Sequence, residues 1–199
     1  MRAVTSAGAS VVHLEDPAAV AGVDAVIWPS PITAAERPSQ AVVDALVGAA
    51  EAGLPVLGID GGFDALCRAG LLPGRLEPNE GGHFVCRDQP LRVETRDTIW
   101  TCALSAGDTV TFVHASHAGR YTADPDVLDR LEADQQVVLR YLGENPNGSA
   151  NAIAGITNAR GNVVGLVPRP EDAIDLLTGP SADGRRLFDS LLAFVQVRG

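Results

Sequence analysis

The stretch that most constrains this chain is Leu54-Pro55-Val56-Leu57-Gly58-Ile59, which runs without a break into Asp60-Gly61-Gly62-Phe63. An unbroken apolar run of this kind reads as a strand covered on both faces, and the glycines let a helix begin hard against its end. Around it, short apolar runs alternate with amphipathic stretches, the pattern of an α/β fold with a largely parallel sheet. Residues 10–14, 24–28, 136–142 and 162–167 read as further strands. Residues 38–52 carry Val42, Val43, Leu46 and Ala49 at helical spacing, and residues 61–69 predict a helix that stops at Gly70 and the turn Leu71-Leu72-Pro73-Gly74. Residues 83–87, 91–95, 98–102 and 109–114 read as strands with no helix between them, which predicts a small antiparallel insert. Helices are expected at 125–133, 171–177 and 183–195, and residues 143–149, Gly-Glu-Asn-Pro-Asn-Gly-Ser, form a loop dense in turn formers. The length of 199 residues predicts one domain over 1–199.

Charge narrows the function. The chain has 15 basic residues, all arginine, against 25 acidic ones, a formal net charge of −10 that repels phosphate backbones and anionic lipid heads. Neither nucleic acid nor membrane is expected as a partner. No apolar run approaches the roughly 18 residues of a membrane span, and no leader pattern opens the sequence, so a soluble, cytoplasmic chain is expected. The spacing of Cys67, Cys86 and Cys102 fits neither a zinc knuckle nor a redox pair, which predicts reduced thiols, with no metal and no cofactor.

The run Gly58-Ile59-Asp60-Gly61-Gly62-Phe63 has the layout of a nucleophile elbow, where a sharp strand-to-helix turn lifts one side chain above the sheet. Asp60 as a plain helix-capping carboxylate is the equally open reading. More than a hundred residues later, Val167-Pro168-Arg169-Pro170-Glu171 follows another apolar strand and brings a charged pair toward the same sheet edge.

Several ordered blocks carry a resemblance. They are the elbow segment, Ala69-Gly70-Leu71-Leu72-Pro73-Gly74, Asn79-Glu80 with Phe84-Val85-Cys86-Arg87, Gly119-Arg120-Tyr121, and Glu144-Asn145-Pro146-Asn147-Gly148-Ser149. Ile153-Ala154-Gly155-Ile156-Thr157-Asn158, Gly161-Asn162-Val163-Val164-Gly165-Leu166, and then Pro168, Pro170 and Glu171 continue the series. In these blocks the chain is similar to the glutamine amidotransferase subunit of phosphoribosylformylglycinamidine synthase, of the class I, triad amidotransferases. The resemblance implies a flavodoxin-like sandwich, mostly parallel with helices on both faces, and a synthetase-type partner.

The departures from that family bear on activity. Where the family carries its cysteine nucleophile this chain has Asp60, and where the family pairs histidine with glutamate this chain has Arg169 with Glu171. The family's Pro-Gly-Gly oxyanion turn is replaced by Trp28-Pro29-Ser30-Pro31, running straight into Ile32 and the next helix, which makes Ser30, Gly58 and Gly61 the residues to watch around the elbow. Amide hydrolysis through a thioester needs a thiolate and a proton carrier titrating near neutrality. Arginine, with a pKa above about 12, carries no proton. Cys67, two helical turns past the elbow, does not replace the thiolate. Asp60, Arg169 and Glu171 have the same formal charge as a resting triad, so an ion-pair cluster with Arg169 bridging the two carboxylates is expected; unbridged, they would repel by several kcal/mol at about 4 Å in an effective dielectric near 20.

The expected role is that of a catalytically inactive amidotransferase-like subunit on a synthetase-type partner or in a homo-oligomer. The alternatives are a repurposed hydrolase or lyase using Asp60 with Glu171 and Arg169, and a sensor that binds a small anionic ligand in the vacated pocket. Residues 1–8 resemble only the tail of the family's first helix, which implies that its first strand is missing, so that either the true start lies upstream or a partner covers the gap. His114 and His117 lie near the family's His-Gly-Glu-Gly segment but out of register, and are read as solvated or hydrogen-bonded loop histidines rather than metal ligands.

Overall fold

The computed structural model describes residues 2–31 and 37–198. A seven-stranded sheet runs in the order β1-β2-β9-β8-β7-β4-β5. Its strands are β1 (Val26–Trp28), β2 (Val56–Ile59), β4 (Val85–Val93), β5 (Thr109–Ser116), β7 (Val137–Tyr141), β8 (Ile153–Thr157) and β9 (Val163–Leu166). A separate two-stranded ribbon pairs β3 (Arg75–Glu77) with β6 (Arg120–Thr122). The helices are α1 (Arg2–Ser6), α2 (Gln40–Glu51), α3 (Gly61–Arg68), α4 (Pro125–Ala133) and α5 (Arg185–Arg198).

Alternation along the strands sorts the core into two layers. Leu57, Ile59, Val164 and Leu166 point to the face covered by Leu187 and Leu191 of α5, while Val56 and Val163 point to the face covered by Leu46, Phe63 and Leu131 of α2, α3 and α4. Helices thus lie on both faces, and this is the expected α/β sandwich. Its antiparallel part is larger than the small insert expected. The ladders β1–β2 and β2–β9 are parallel, whereas β9–β8, β8–β7, β7–β4 and β4–β5 are antiparallel. A fully buried strand reads as the same apolar run in either direction, so the sequence left the direction of residues 136–142 open.

Four local expectations are corrected. Residues 10–14 form no strand, and Val12 is 64% exposed. The reason is geometric: α1 packs against α5, whereas Leu14 joins the cluster on the α2 face, so the chain there crosses the sheet from one face to the other and cannot run alongside it. Residues 98–102 are turns rather than a strand, pinned by the bond between the Thr98 and Thr101 hydroxyls (2.7 Å) and by fully buried Trp100. Residues 83–87 and 91–95 are not two strands but belong to the one strand β4, which continues through Pro90. Proline is tolerated there because it stands at the end of the β7 ladder, where its carbonyl still accepts from the Leu142 N–H (3.0 Å) and the Leu142 carbonyl accepts from the Gln89 side-chain amide (3.3 Å). Residues 171–177 make only a single turn, Pro170–Asp172. Leu177 is 91% exposed, so this segment has no apolar face to dock as a helix. Residues 32–36, including Ile32, lie outside the described residues, and α2 begins at Gln40. Among the described residues no helix is long and apolar enough to cross a membrane.

What positions the site is the contact between β1 and the start of α3. A Cβ on Gly62 would lie 1.7 Å from the Trp28 carbonyl oxygen, and one on Gly58 would lie 2.8 Å from the Gly62 carbonyl. Backbone therefore rests on backbone. Gly62→Ala is expected to lose stability at or beyond the upper end of the roughly 1–3 kcal/mol typical of overpacking, because no side chain can swing aside. Gly48→Ala, in open space on α2, is expected to gain roughly 0.5–1 kcal/mol. Urea unfolding midpoints of the two variants against the parent chain check both signs.

Candidate functional site at the β2 elbow

Asp60 leaves β2 at φ 51° and ψ −108°, a left-handed conformation that favours glycine and costs a residue with a side chain about 1–3 kcal/mol. The surroundings impose it. The Asp60 N–H continues the ladder to the Leu166 carbonyl (2.8 Å), while its own carbonyl accepts from the Asp64 N–H (3.2 Å) to open α3. The side chain is thereby raised above the C-terminal end of the parallel strands. It does not cap the helix: no backbone N–H of α3 donates to it, so the capping reading of this carboxylate is not borne out. Its Oδ1 accepts a 2.6 Å bond from the Ser116 hydroxyl at the end of β5, and its Oδ2 lies 3.7 Å from the Arg169 guanidinium. The Asp60 side chain is 13% exposed and that of Arg169 is 32% exposed, so the pair is roofed on one side and open on the other.

Asp60 and Arg169 lie side by side, and Glu171 does not join them in an ion pair. The second partner of Arg169 is Asp172 (3.9 Å), not Glu171. The bridge between Asp60 and Glu171 expected from charge pairing is not made, because the turn Pro170–Asp172 carries Glu171 inward and Asp172 outward. Glu171 Oε2 is buried and makes no hydrogen bond. Burial pushes the Glu171 carboxyl up to about 7, with the negative charges of Asp172 and Asp60 adding to it, while its own backbone N–H and Arg169 pull the other way. Of the flanking residues, Ser30 Oγ accepts from the Gly61 N–H (3.3 Å) and so occupies the first backbone donor of the elbow. A Cβ on Gly58 would press on the Gly62 backbone (2.8 Å), and one on Gly61 would displace the Ser30 hydroxyl (2.6 Å).

Residues named in the sequence only as parts of the resembling blocks, not as site residues, hold this arrangement. Asn79 donates to the Ser116 carbonyl (2.9 Å) and accepts from the Gly119 N–H (3.0 Å), which fixes the strand end bearing the Asp60 partner. Asn147, within the loop noted for its turn formers, donates to the Tyr141 hydroxyl (3.0 Å). Ser116 stands two positions from His114, so the right segment was in view, but a hydroxyl carries no spacing signature. His117 is exposed, as a loop residue should be. His114 is not: it is fully buried, and burial together with the Arg87 and Arg169 charges lowers it to about 4, so it is neutral at physiological pH. Cys67 is held protonated, its thiol pushed up to about 12 by burial and by Asp64. Among the described residues no group of His, Cys, Asp or Glu has the arrangement of a metal site.

An aspartate locked by a hydroxyl and a guanidinium is a poor attacking group, and arginine relays no proton. Glu171 is the member able to exchange a proton near neutrality. The raised folded value means its contribution to stability is fully present below the unfolded value of about 4.5 and is lost as pH rises through about 7. The stability difference between Glu171→Gln and the parent is therefore expected to grow in favour of the variant over that window, by up to about 3 kcal/mol, and to stay level above it. Denaturant unfolding at a series of pH values checks this, and a difference that is flat with pH would refute it.

Comparison with known proteins places the chain. Residues 27–195 match the family model of the CobB/CobQ-like glutamine amidotransferase domain. A protein of Frankia casuarinae named phosphoribosylformylglycinamidine synthase subunit PurQ is 51% identical over 96% of this chain and 85% of its own length. The protein of the same name from Rhodococcus jostii is 49% identical over 96% and 88%. Among solved structures, that of PurLQS from Thermotoga maritima superposes with a TM-score of 0.70 at 38% identity, covering 77% of this chain and 68% of that one. The chain belongs to the CobB/CobQ-like glutamine amidotransferase family, among relatives named as the PurQ subunit of phosphoribosylformylglycinamidine synthase.

Proposed function

We propose that this chain is the amidotransferase-fold subunit of a phosphoribosylformylglycinamidine synthase-type assembly, working in the cytoplasm, and that it docks on the synthetase-type subunit without releasing ammonia from glutamine. The observation that carries the second half is the Asp60 carboxylate at the elbow, held on one oxygen by Ser116 and faced on the other by Arg169. Hydrolysis of a carboxamide there would require a nucleophile that gives a labile acyl intermediate and a base that hands a proton to the leaving ammonia. Asp60 would give an anhydride, Arg169 holds its proton, and the Gly61 N–H is already engaged by Ser30. The first half rests on the relatives named PurQ and on the PurLQS assembly of Thermotoga maritima.

A repurposed hydrolase or lyase is the second reading, and one observation favours it: Glu171 is poised near neutrality beside the elbow. The grip of Ser116 and Arg169 on Asp60 weighs against it. The open side of Arg169 is where a small anionic ligand would bind under either reading.

The purified chain is expected to release no glutamate from glutamine above the uncatalysed rate, and to co-elute with the synthetase-type subunit encoded by the same organism. Glutamate release by the unmodified chain would overturn the inactive reading. A chain that stays monomeric beside that subunit would overturn the docking. Asp60→Cys combined with Arg169→His restores thiol and imidazole but not the engaged Gly61 donor. Its glutaminase rate is expected to stay at background, and recovery would show Ser30 to be no obstacle.

A further inference from the structure

Two fully buried polar atoms near the elbow find no protein partner: Gln89 Oε1 on β4 and His114 Nε2 on β5. They are neighbours by register. Arg87 stands directly opposite His114 in the antiparallel ladder, and Gln89 is two residues further along the same face, so Gln89 and His114 are diagonal cross-strand neighbours.

Their hydrogen-bonding roles follow from what surrounds them. The Gln89 amide nitrogen donates to the carbonyls of Pro90 (2.9 Å), Leu142 (3.3 Å) and Glu144 (3.5 Å). Turning the amide over would set its oxygen against these acceptors, so Oε1 is the atom left free, and it is an acceptor. The chain of assignments to His114 starts at Asn147. Its Oδ1 accepts from the Ser149 N–H (3.1 Å), which makes its Nδ2 the donor to the Tyr141 hydroxyl (3.0 Å). The Tyr141 hydroxyl proton then points to its other partner, His114 Nδ1 (3.3 Å). Nδ1 is therefore the acceptor, and the imidazole proton sits on Nε2. The protein thus presents one free donor and one free acceptor, both out of reach of solvent and not hydrogen-bonded to each other.

We propose that Gln89 Oε1 and His114 Nε2 together hold a single internal water molecule beneath the 142–149 loop. A neutral, water-sized molecule that accepts from Nε2–H and donates to Oε1 satisfies both atoms, and buried waters characteristically occupy such sites. The same residues seat that loop. Gln89 ties down the carbonyls of Leu142 and Glu144, and Asn147 joins the Gly119 carbonyl to Tyr141. His114 shares a face of β5 with Ser116, the hydrogen-bond partner of Asp60, so the water completes a polar layer that runs from the loop to the elbow. The inference stands whether or not the chain hydrolyses glutamine.

A high-resolution crystal structure of the unmodified chain is expected to show one ordered solvent peak within about 2.7–3.2 Å of both atoms. An empty site, or direct contact between the two side chains, would overturn the proposal. Thermal unfolding of Gln89→Leu, His114→Phe and the double variant supplies a second reading. Each single change leaves the other polar atom with a half-satisfied water, whereas the double change removes both, so the fall in Tm of the double variant is expected to be smaller than the sum of the two single falls. Strictly additive falls would count against a shared molecule, and if a single variant fails to fold, the crystallographic result alone decides.

Discussion

The approach of α3 to the end of β1 is the constraint on which the site depends. With Gly62 lying against the Trp28 carbonyl, the helix has one place to begin, and the residue before it must turn through the left-handed region to get there. That turn puts Asp60 above the sheet edge at the cost of backbone strain. The same turn would present any side chain at this position equally well, because its shape is set by the backbone and the glycines around it. Geometry and chemistry have separated here: the elbow is a property of glycine packing, and the reactivity belongs to the single side chain it carries.

Around that side chain the charges are arranged asymmetrically. Arg169 stands between Asp60 (3.7 Å) and the more exposed Asp172 (3.9 Å), while Glu171 is turned into the protein, where burial keeps its carboxyl near neutrality. A buried carboxyl with an unpaired oxygen is expensive when ionised and cheap when protonated. The site therefore behaves as a tethered pair plus a buried acid rather than as a three-member ion cluster. Ser116 supplies the short bond that a cluster would otherwise have provided, and Asn79 holds Ser116 in place from behind.

Much of the framework was legible because apolar periodicity reports burial directly. The buried run 54–59, the helical spacing of Val42 and Leu46, and the glycines after Asp60 all specify local structure, and β2, α2 and α3 lie where they imply. What was not legible depended on partners distant in the chain. Residues 10–14 look like a strand but must cross the sheet edge, and residues 171–177 look like a helix but have no core to face. In the sequence the Asp60 carboxylate is as open to a cap as to an elbow, and its bond to Ser116, 56 positions away, appears only in the folded chain.

By itself the sequence determined the alternation of strands and helices and the strand-to-helix elbow at Asp60, since apolar spacing and the glycines carry both. Only the tertiary structure decided strand direction beyond β9, the pairing of Arg169 with Asp172 in place of Glu171, and the burial of His114. The physical reason is that hydrogen bonds, ion pairs and desolvation act over a few ångströms in space, and separation along the chain does not say which side chains fall within that range.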